Sequence, residues 1–208
     1  AAIDRAGFKV KDFVLSPYAT SLAVVSSENK RKGCCLLDIG FEATCLLVFK
    51  DGILRGFEQF NIGSRSITEA VANELNLSYD LAENISISYA NAVADNVDPE
   101  QEVLVKKDQL YRPIKRRLVC SVVEHKLKEL FNEVDKRLVV YQKMFDFPCG
   151  IIVSGRAASL EGLLESIELS FQLPAHLAKI ENVALSDMGF AGALGLIQYA
   201  ISQRHEMQ

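Results

Sequence analysis

Short runs of apolar residues separated by polar turns fill the chain between Cys34 and Phe60, and this pattern predicts three consecutive β-strands. An Asp51-Gly52 pair separates the last two runs, and such a pair favours the positive backbone angles of a tight hairpin turn. The expected strands are residues 34–39, 44–50 and 53–60. Asp38 is the one acidic residue in the first run, and it comes just before the first turn.

Apolar residues spaced three or four apart predict helices over residues 64–75, 79–90 and 158–169. The longest helix is expected to begin at Pro113 and to end near Tyr141, with a single buried stripe. That stripe comprises Ile114, Leu118, Val122, Leu127, Leu130, Val134, Leu138 and Tyr141. Short strands are expected at 102–105 and 151–153, and partly over 174–180.

The two ends of the sequence carry weaker patterns. Residues 10–15 alternate and predict a strand, and Ser16-Pro17 then begins a helix that extends to Val25. The closing segment, 187–203, carries Gly189, Gly192 and Gly195 among apolar residues, as expected where a helix packs closely on neighbouring backbone. Strand–turn–helix units around a hairpin-rich sheet predict an α/β domain with an inserted smaller α/β piece.

Composition narrows the possible functions. The chain has 208 residues, of which 49% are hydrophobic and 24% charged, and these values fit one sizeable globular domain or two small ones. A formal net charge of −4 argues against a nucleic-acid-binding surface spread over the molecule. We find no leader segment and no run near the ~20 apolar residues of a membrane-spanning helix, so we expect a cytoplasmic protein. The five cysteines and three histidines lack metal-pair spacings, and we predict no metal ligands.

Three segments together resemble the FtsA family of bacterial cell-division proteins, which are actin-like. They are Leu-Leu-Asp-Ile-Gly-Phe-Glu-Ala-Thr at 36–44, Val-Ser-Gly-Arg-Ala-Ala-Ser-Leu-Glu-Gly-Leu at 153–163 and Phe-Ala-Gly-Ala-Leu-Gly-Leu-Ile-Gln-Tyr-Ala at 190–200. The resemblance implies half of an actin-like, ribonuclease H-like fold.

The same resemblance implies a division into subdomains. Residues 1–33 are expected to be a remnant of subdomain 1A, residues 34–60 and 149–208 subdomain 2A, and residues 61–148 the inserted subdomain 2B. Family members are about twice this length, so we expect the sequence to begin in mid-protein and to correspond to a C-terminal half.

The resemblance also implies a nucleotide site for ATP with Mg²⁺. Asp38, Gly40 and Thr44 match a phosphate-binding turn, and Ser154, Gly155 and Arg156 match the turn that holds the adenosine. Phe41, Glu42 and Arg156 stand where small residues are expected. A Glu42 carboxylate directed into the site would repel phosphate by about 3 kcal/mol at ~5 Å and an effective dielectric of ~20. We therefore expect weak ATP binding in a full-length protein, no nucleotide on this fragment, and no catalytic residue in this chain.

A second implied function is protein binding. Members of the family dock the C-terminal tail of the tubulin-like protein FtsZ on subdomain 2B, self-associate into filaments and attach to the membrane through a C-terminal amphipathic helix. FtsZ tails carry acidic and apolar residues, so a receptor needs an apolar groove with a basic rim. Residues 106–129 carry eight cations against three carboxylates, and we predict Arg116, Arg117 and Lys126 as docking residues.

Other interpretations remain open on the sequence. The chain could belong to an active actin-fold ATPase or to a cytoplasmic scaffold like the pilus-assembly protein PilM. Gly155 could serve only to permit a tight strand-to-helix turn, and Asp38 could be a plain hydrogen-bonded residue at a strand end. The basic run could be an ordinary solvated helix face.

Overall fold

Seven strands and eight α-helices are present in the computed structural model, which describes residues 2–107, 110–180 and 188–206. The strands are β1 (Cys34–Ile39), β2 (Thr44–Lys50), β3 (Ile53–Phe60), β4 (Glu102–Lys107), β5 (Leu110–Lys115), β6 (Ile151–Ser154) and β7 (Ala175–Leu177). The helices are α1 (Ala2–Arg5), α2 (Ser16–Val24), α3 (Ser27–Lys32), α4 (Ser64–Glu74), α5 (Tyr79–Tyr89), α6 (Arg116–Gln142), α7 (Leu163–Phe171) and α8 (Ala191–Glu206). One-turn 3-10 helices occupy Ala94–Asn96, Arg156–Ser159 and Met188–Phe190.

The chain divides into two compact units, one of residues 27–178 and one that joins residues 1–26 to 179–208. The predicted subdomains have other boundaries, and they stay a prediction. None of the helices in the described ranges combines the length and the hydropathy needed to cross a bilayer.

A five-stranded sheet with the order β3-β2-β1-β6-β7 organises the larger unit. The β1–β2–β3 meander is antiparallel, and its strands have the boundaries that the hydrophobic pattern predicts. β6 joins β1 in parallel and β7 joins β6 in parallel. Because both of its faces are covered, β1 is buried along nearly its whole length, as is β2, and each consists of an almost unbroken apolar run.

Helix α6 is the longest helix, and the side chains on one of its faces are buried in the core. Its buried side chains are Val119, Cys120, Val123, Leu127, Leu130, Phe131, Val134 and Leu138. The predicted stripe is correct from Leu127 onward but wrong in the first turns, where Leu118 remains 44% exposed. Adjacent apolar pairs, Leu118 with Val119 and Val122 with Val123, left the sequence pattern ambiguous there.

Pro113 does not start this helix, as the sequence had predicted. It lies in β5, which pairs with β4 in a two-stranded antiparallel sheet, and the helix begins at Arg116. Proline lacks an amide proton, so it is tolerated in an edge strand that leaves one side unpaired. The prediction mistook this feature for a helix start because proline is also common in a first helical turn.

Two further differences concern short elements. The segment predicted as a helix over 158–169 instead forms the 3-10 turn Arg156–Ser159 followed by α7. Gly162 has φ +75°, a conformation that separates the two. The sequence analysis also did not predict α3.

The smaller unit is held together by the packing of α2 against α8. A Cβ atom on Gly195 would lie 1.7 Å from the carbonyl oxygen of Ala19, so only glycine permits this approach. The predicted close packing at that glycine is confirmed, while Asp187, the predicted start of the segment, lies outside the described residues. Residues 10–15 form no strand, in contrast to the prediction. Phe13, in the middle of this stretch, is 90% exposed.

The buried face of α6 leads to a stability prediction. Leu127→Ala is expected to lower the free energy of unfolding by about 2–5 kcal/mol, because it removes a fully buried side chain and leaves a cavity. The same change at Leu118, on the exposed side of the helix, is expected to cost less than about 1 kcal/mol. Urea unfolding followed by circular dichroism measures both. Equal losses in the two variants would show that the assigned face is wrong.

Candidate functional site

Parallel pairing of β1 with β6 brings together two turns that are more than a hundred residues apart in sequence. Asp38 stands opposite Ser154 in the register, at the carboxyl ends of both strands. The Ser154 hydroxyl donates a hydrogen bond of 2.8 Å to Asp38 Oδ1. Since ligands of α/β proteins commonly bind at the carboxyl ends of parallel strands, this edge is the first candidate site. The two turns that the sequence analysis selected are therefore neighbours.

Gly155 follows Ser154 in a conformation that L-amino acids rarely adopt, with φ +93°. A Cβ atom there would come within 2.4 Å of the Ile39 carbonyl oxygen and 2.7 Å of Asp38 Oδ1. The glycine thus permits the tight turn, as the plainer interpretation required, and it also keeps space beside the Asp38 carboxylate. Burial raises the pKa of Asp38, and the hydrogen bond from Ser154 partly offsets that rise.

The turn between β1 and β2, residues 40–43, rests on the start of α4. The amides of Ser64 and Arg65 donate hydrogen bonds of 2.9 Å to the carbonyl oxygens of Gly40 and Phe41. Two amides of the first helical turn are satisfied in this way. Within the described chain, the amides of residues 41–43 donate no hydrogen bond, so the turn retains free donors of the kind that bind anions.

The two large side chains of this turn are held by ion pairs and a ring contact. Glu42 forms a 2.8 Å ion pair with Arg65, which also bonds Glu69 at 2.8 Å. The ring of Phe41 lies under the guanidinium of Arg156, 5.2 Å from centroid to carbon. The repulsion expected from Glu42 is therefore reduced by a neighbouring cation.

Thr44 is fully buried and its hydroxyl donates a 2.7 Å hydrogen bond to the carbonyl oxygen of Ile62. That bond fixes the segment before α4 against β2. In this arrangement the Thr44 hydroxyl stabilises the turn through its hydrogen bond to Ile62.

A cleft of about 770 Å³, a volume that includes its open mouth, adjoins these turns. It is lined by α4, by α5, by Val123 of α6 and by the segment that follows β6. Arg156 and Glu83 stand at one side, joined by a 2.8 Å ion pair. Ile67, Ala90, Ala157 and Leu160 supply apolar lining.

Two serine hydroxyls in this cleft lack partners. The Oγ atoms of Ser64 and Ser86 are buried and form no hydrogen bond in the described part of the chain. A buried hydroxyl without a partner costs free energy, and rotation of either serine side chain toward the cleft would let a polar ligand supply the missing hydrogen bond. The Tyr79 hydroxyl is also buried without a partner, and Tyr79 does not line the cleft. The sequence analysis missed Ser64, Ser86 and Glu83, because polar residues in amphipathic helices look like solvent-facing positions and no motif marks them.

The structure gives no indication of a metal cluster among the described residues, which hold no group of three His, Cys, Asp or Glu side chains suited to a metal ion. Four cysteines are buried as small apolar groups, and burial raises the pKa of Cys45 to about 11.

The three predicted docking cations do not form one patch. Arg116 is only 19% exposed; it donates to the Tyr89 carbonyl at 2.8 Å and pairs with Glu161 at 2.9 Å. It therefore joins the end of α5 to the segment after β6. Arg117 pairs with Asp95. The basic excess seen in sequence is thus offset by carboxylates from other segments.

Lys126 stands apart from the other two. It lines a groove between α4 and α6 together with Leu118, Val122 and Ala70, and it pairs with Glu129 at 2.5 Å. The exposed Leu118 belongs to this groove. Glu74 and Glu129 also line the groove, so it has the expected apolar floor and one lysine but not a basic rim.

The raised pKa of Asp38 leads to a prediction on pH. Burial disfavours the ionised form of this carboxylate in the folded chain relative to the unfolded one. Asp38→Asn keeps the acceptor for Ser154, so it is expected to raise the thermal midpoint at pH values above the raised pKa.

That gain is expected to shrink as the pH falls through the raised pKa, and to vanish below the ordinary value of 3.8, where both states are protonated. Differential scanning fluorimetry across this range measures it. The control is Asp146→Asn, at an exposed position whose side chain has no hydrogen bond or ion pair in the described part of the chain. A gain independent of pH would contradict the burial argument.

Solved structures of other proteins share this fold. MreB5 of Spiroplasma citri, in a structure bound to ADP, superposes with a TM-score of 0.75 at 14% identity, over 98% of this chain and 64% of that one. The PilM–PilN type IV pilus biogenesis complex gives a TM-score of 0.68 at 20% identity, over 94% of this chain and 54% of that one. The double helical filament of MamK gives 0.65 at 13% identity, over 88% of this chain and 58% of that one. The predicted actin-like α/β fold is thereby confirmed.

Sequence relatives narrow the assignment from fold to family. The cell division protein FtsA of Pseudomonas aeruginosa is 28% identical over 98% of this chain and 51% of its own length. FtsA of Neisseria meningitidis is 29% identical over 95% of this chain and 50% of its own length. The chain thus spans about half the length of these relatives. The sequence model of the family described as "Cell division protein FtsA" matches residues 35–195, which contain both turns of the site and the residues that line the adjoining cleft. From this match, the chain belongs to the FtsA family of cell-division proteins.

Proposed function

We propose that the full-length protein is an actin-like cell-division adaptor that binds a nucleotide as a structural ligand and links FtsZ to the membrane. The chain described above would supply one side of the nucleotide site and the groove for the FtsZ tail. The observation that carries the nucleotide assignment is the turn with free amides at the end of β1, which lies beside the turn after β6 and adjoins a cleft lined in part by Ser64 and Ser86.

The residues fit a phosphorylated nucleoside in both of its parts. The apolar walls and the two hydroxyls suit a base and a sugar, which present a flat face and polar edges. The free amides of residues 41–43 suit phosphate oxygens. Asp38 and Gly40 would lie beside the phosphates, Ser154 and Gly155 beside the nucleoside, and Arg156 where the two parts of the ligand join. Similarity to MreB5, which was solved with ADP, supports the same assignment.

Mg²⁺ bound with ATP would supply positive charge against the phosphates. This chain's own contribution is to orient the nucleotide and to keep Glu42 away from it through Arg65. We propose weak binding by the full-length protein and no turnover by this chain alone, since an actin-like site closes between two halves and this chain provides one of them. Appearance of inorganic phosphate in a steady-state assay of the full-length protein would favour the alternative, an active ATPase.

Self-association into filaments, attachment through a C-terminal amphipathic helix and a location at the inner face of the membrane are part of the same proposal. The fold shared with the filament-forming MamK supports the first of these. The family match favours an FtsA-type adaptor over a PilM-like scaffold.

The nucleotide assignment is tested with Ser86→Ala in the full-length protein. Removal of an unsatisfied buried hydroxyl is expected to raise the thermal midpoint of the ligand-free protein, because its desolvation is no longer a cost. The affinity for ADP, measured by isothermal titration calorimetry, is expected to fall about tenfold, since one ligand hydrogen bond is lost.

Ser170→Ala is the matched control. Its hydroxyl already donates to the Ser166 carbonyl at 2.7 Å, so its loss should change stability without changing affinity. Equal affinities for ADP in the wild type and in Ser86→Ala would contradict the assignment of this cleft.

The groove between α4 and α6 favours a second role, docking of the FtsZ tail. Leu118 and Val122 offer an apolar floor, and Lys126 offers a cation that can exchange Glu129 for an acidic residue of the tail. Arg116 and Arg117 stay predicted docking residues, and each already has a carboxylate partner, Glu161 for Arg116 and Asp95 for Arg117.

Lys126→Glu is expected to weaken binding of an FtsZ C-terminal peptide by about tenfold or more, because it replaces an attraction by a repulsion in the groove. Lys136→Glu on the same helix, where Lys136 pairs with Glu133 outside the groove, is expected to have little effect. Fluorescence anisotropy of a labelled peptide measures both. Similar losses in the two variants would indicate a general charge effect and would contradict the groove.

A further inference from the structure

Arg156 and Phe41 are two of the three departures from the small residues of the nucleotide motifs, and they contact each other. The Arg156 guanidinium lies 5.2 Å from the centroid of the Phe41 ring and forms a 2.8 Å ion pair with Glu83. Phe41 belongs to the turn with free amides, and Glu83 lines the cleft. Arg156 therefore lies where the turn and the cleft adjoin.

The charges of the cleft give Arg156 a particular importance. Among the described residues that line it, Arg156 is the one cation, and Glu83 and Glu161 are the carboxylates. Glu161 is paired with Arg116. The nearby Arg65 is already shared between Glu42 and Glu69. Without Arg156 the cleft would present an uncompensated carboxylate to an incoming ligand, and an anion would be repelled.

The contacts of Arg156 are of a kind that can be exchanged. Its side chain is 54% exposed and that of Glu83 is 27% exposed, and ion pairs at such positions are weak because water solvates both partners. A phosphate offers a guanidinium a stronger, two-pronged set of hydrogen bonds than this single contact.

We propose that Arg156 makes this site selective for phosphorylated nucleosides. In the ligand-free protein its guanidinium contacts the Phe41 ring and pairs with Glu83. When a nucleotide enters, the guanidinium leaves Glu83 and binds the phosphate that the amides of residues 41–43 hold. Glu83 is then free to accept hydrogen bonds from the ligand. The inference rests on the proposed nucleotide site and adds the residue that sets its preference for charge.

The test compares ADP with adenosine, because they differ only in the phosphates. Dissociation constants for both are measured by isothermal titration calorimetry on the full-length protein and on Arg156→Ala. The variant is expected to bind ADP about tenfold more weakly, since a charge-assisted contact is lost, and to bind adenosine within about twofold of the wild type. Arg156→Lys keeps the charge and should retain an intermediate preference for ADP.

Arg137→Ala is the matched control, since it removes an exposed arginine of α6 whose contact, a 3.7 Å ion pair with Glu58, lies outside the cleft. Thermal melting confirms that each variant is folded. An unchanged ratio of the ADP and adenosine constants in Arg156→Ala would overturn the role of Arg156 and leave the nucleotide site intact. A wild-type protein that binds neither compound would overturn the proposed site and this inference with it.

Discussion

The parallel pairing of β1 with β6 is the constraint on which the candidate site depends. It places Asp38 opposite Ser154, so that one hydrogen bond joins the ends of two strands whose sequences are separated by the whole of α4, α5 and α6. Gly155 is required at this junction because a side chain there would collide with the backbone of Ile39. The turn at 40–43 and the cleft take their positions from that pairing.

The second organising feature is the distribution of charge around the site. Three ion pairs surround the site: Arg65 with Glu42, Arg116 with Glu161, and Arg156 with Glu83. The nitrogen–oxygen distances are 2.8–2.9 Å. These exposed or partly exposed pairs contribute little to stability. Glu83 and Glu161 line the cleft, and each is neutralised there by its arginine partner. A turn that departs from the usual small residues can in this way keep its free amides.

Much of the fold followed from the sequence because local patterns specify it. The three strands of the meander were predicted with their observed limits, since each apolar run ends at a turn residue such as Gly40 or Gly52. The predictions were wrong where the same residue type is compatible with two kinds of local structure. Pro113 fits both an edge strand and a first helical turn, and the paired apolar residues at 118–119 and 122–123 fit either face of α6. The alternating segment at 10–15 has the pattern of a strand but forms none in the described structure.

By itself the sequence determined the secondary elements of the core, the α/β class and the two turns that carry Asp38 and Gly155, because hydrophobic period and turn chemistry act over a few residues. Only the tertiary structure decided which cations form ion pairs and which hydroxyls are buried without a partner. It also decided that Arg156 contacts both Phe41 and Glu83. Those properties depend on contacts between residues far apart in the chain. The eight cations of 106–129 illustrate the difference, since several of their carboxylate partners, Asp95, Glu100 and Glu161, lie outside that segment.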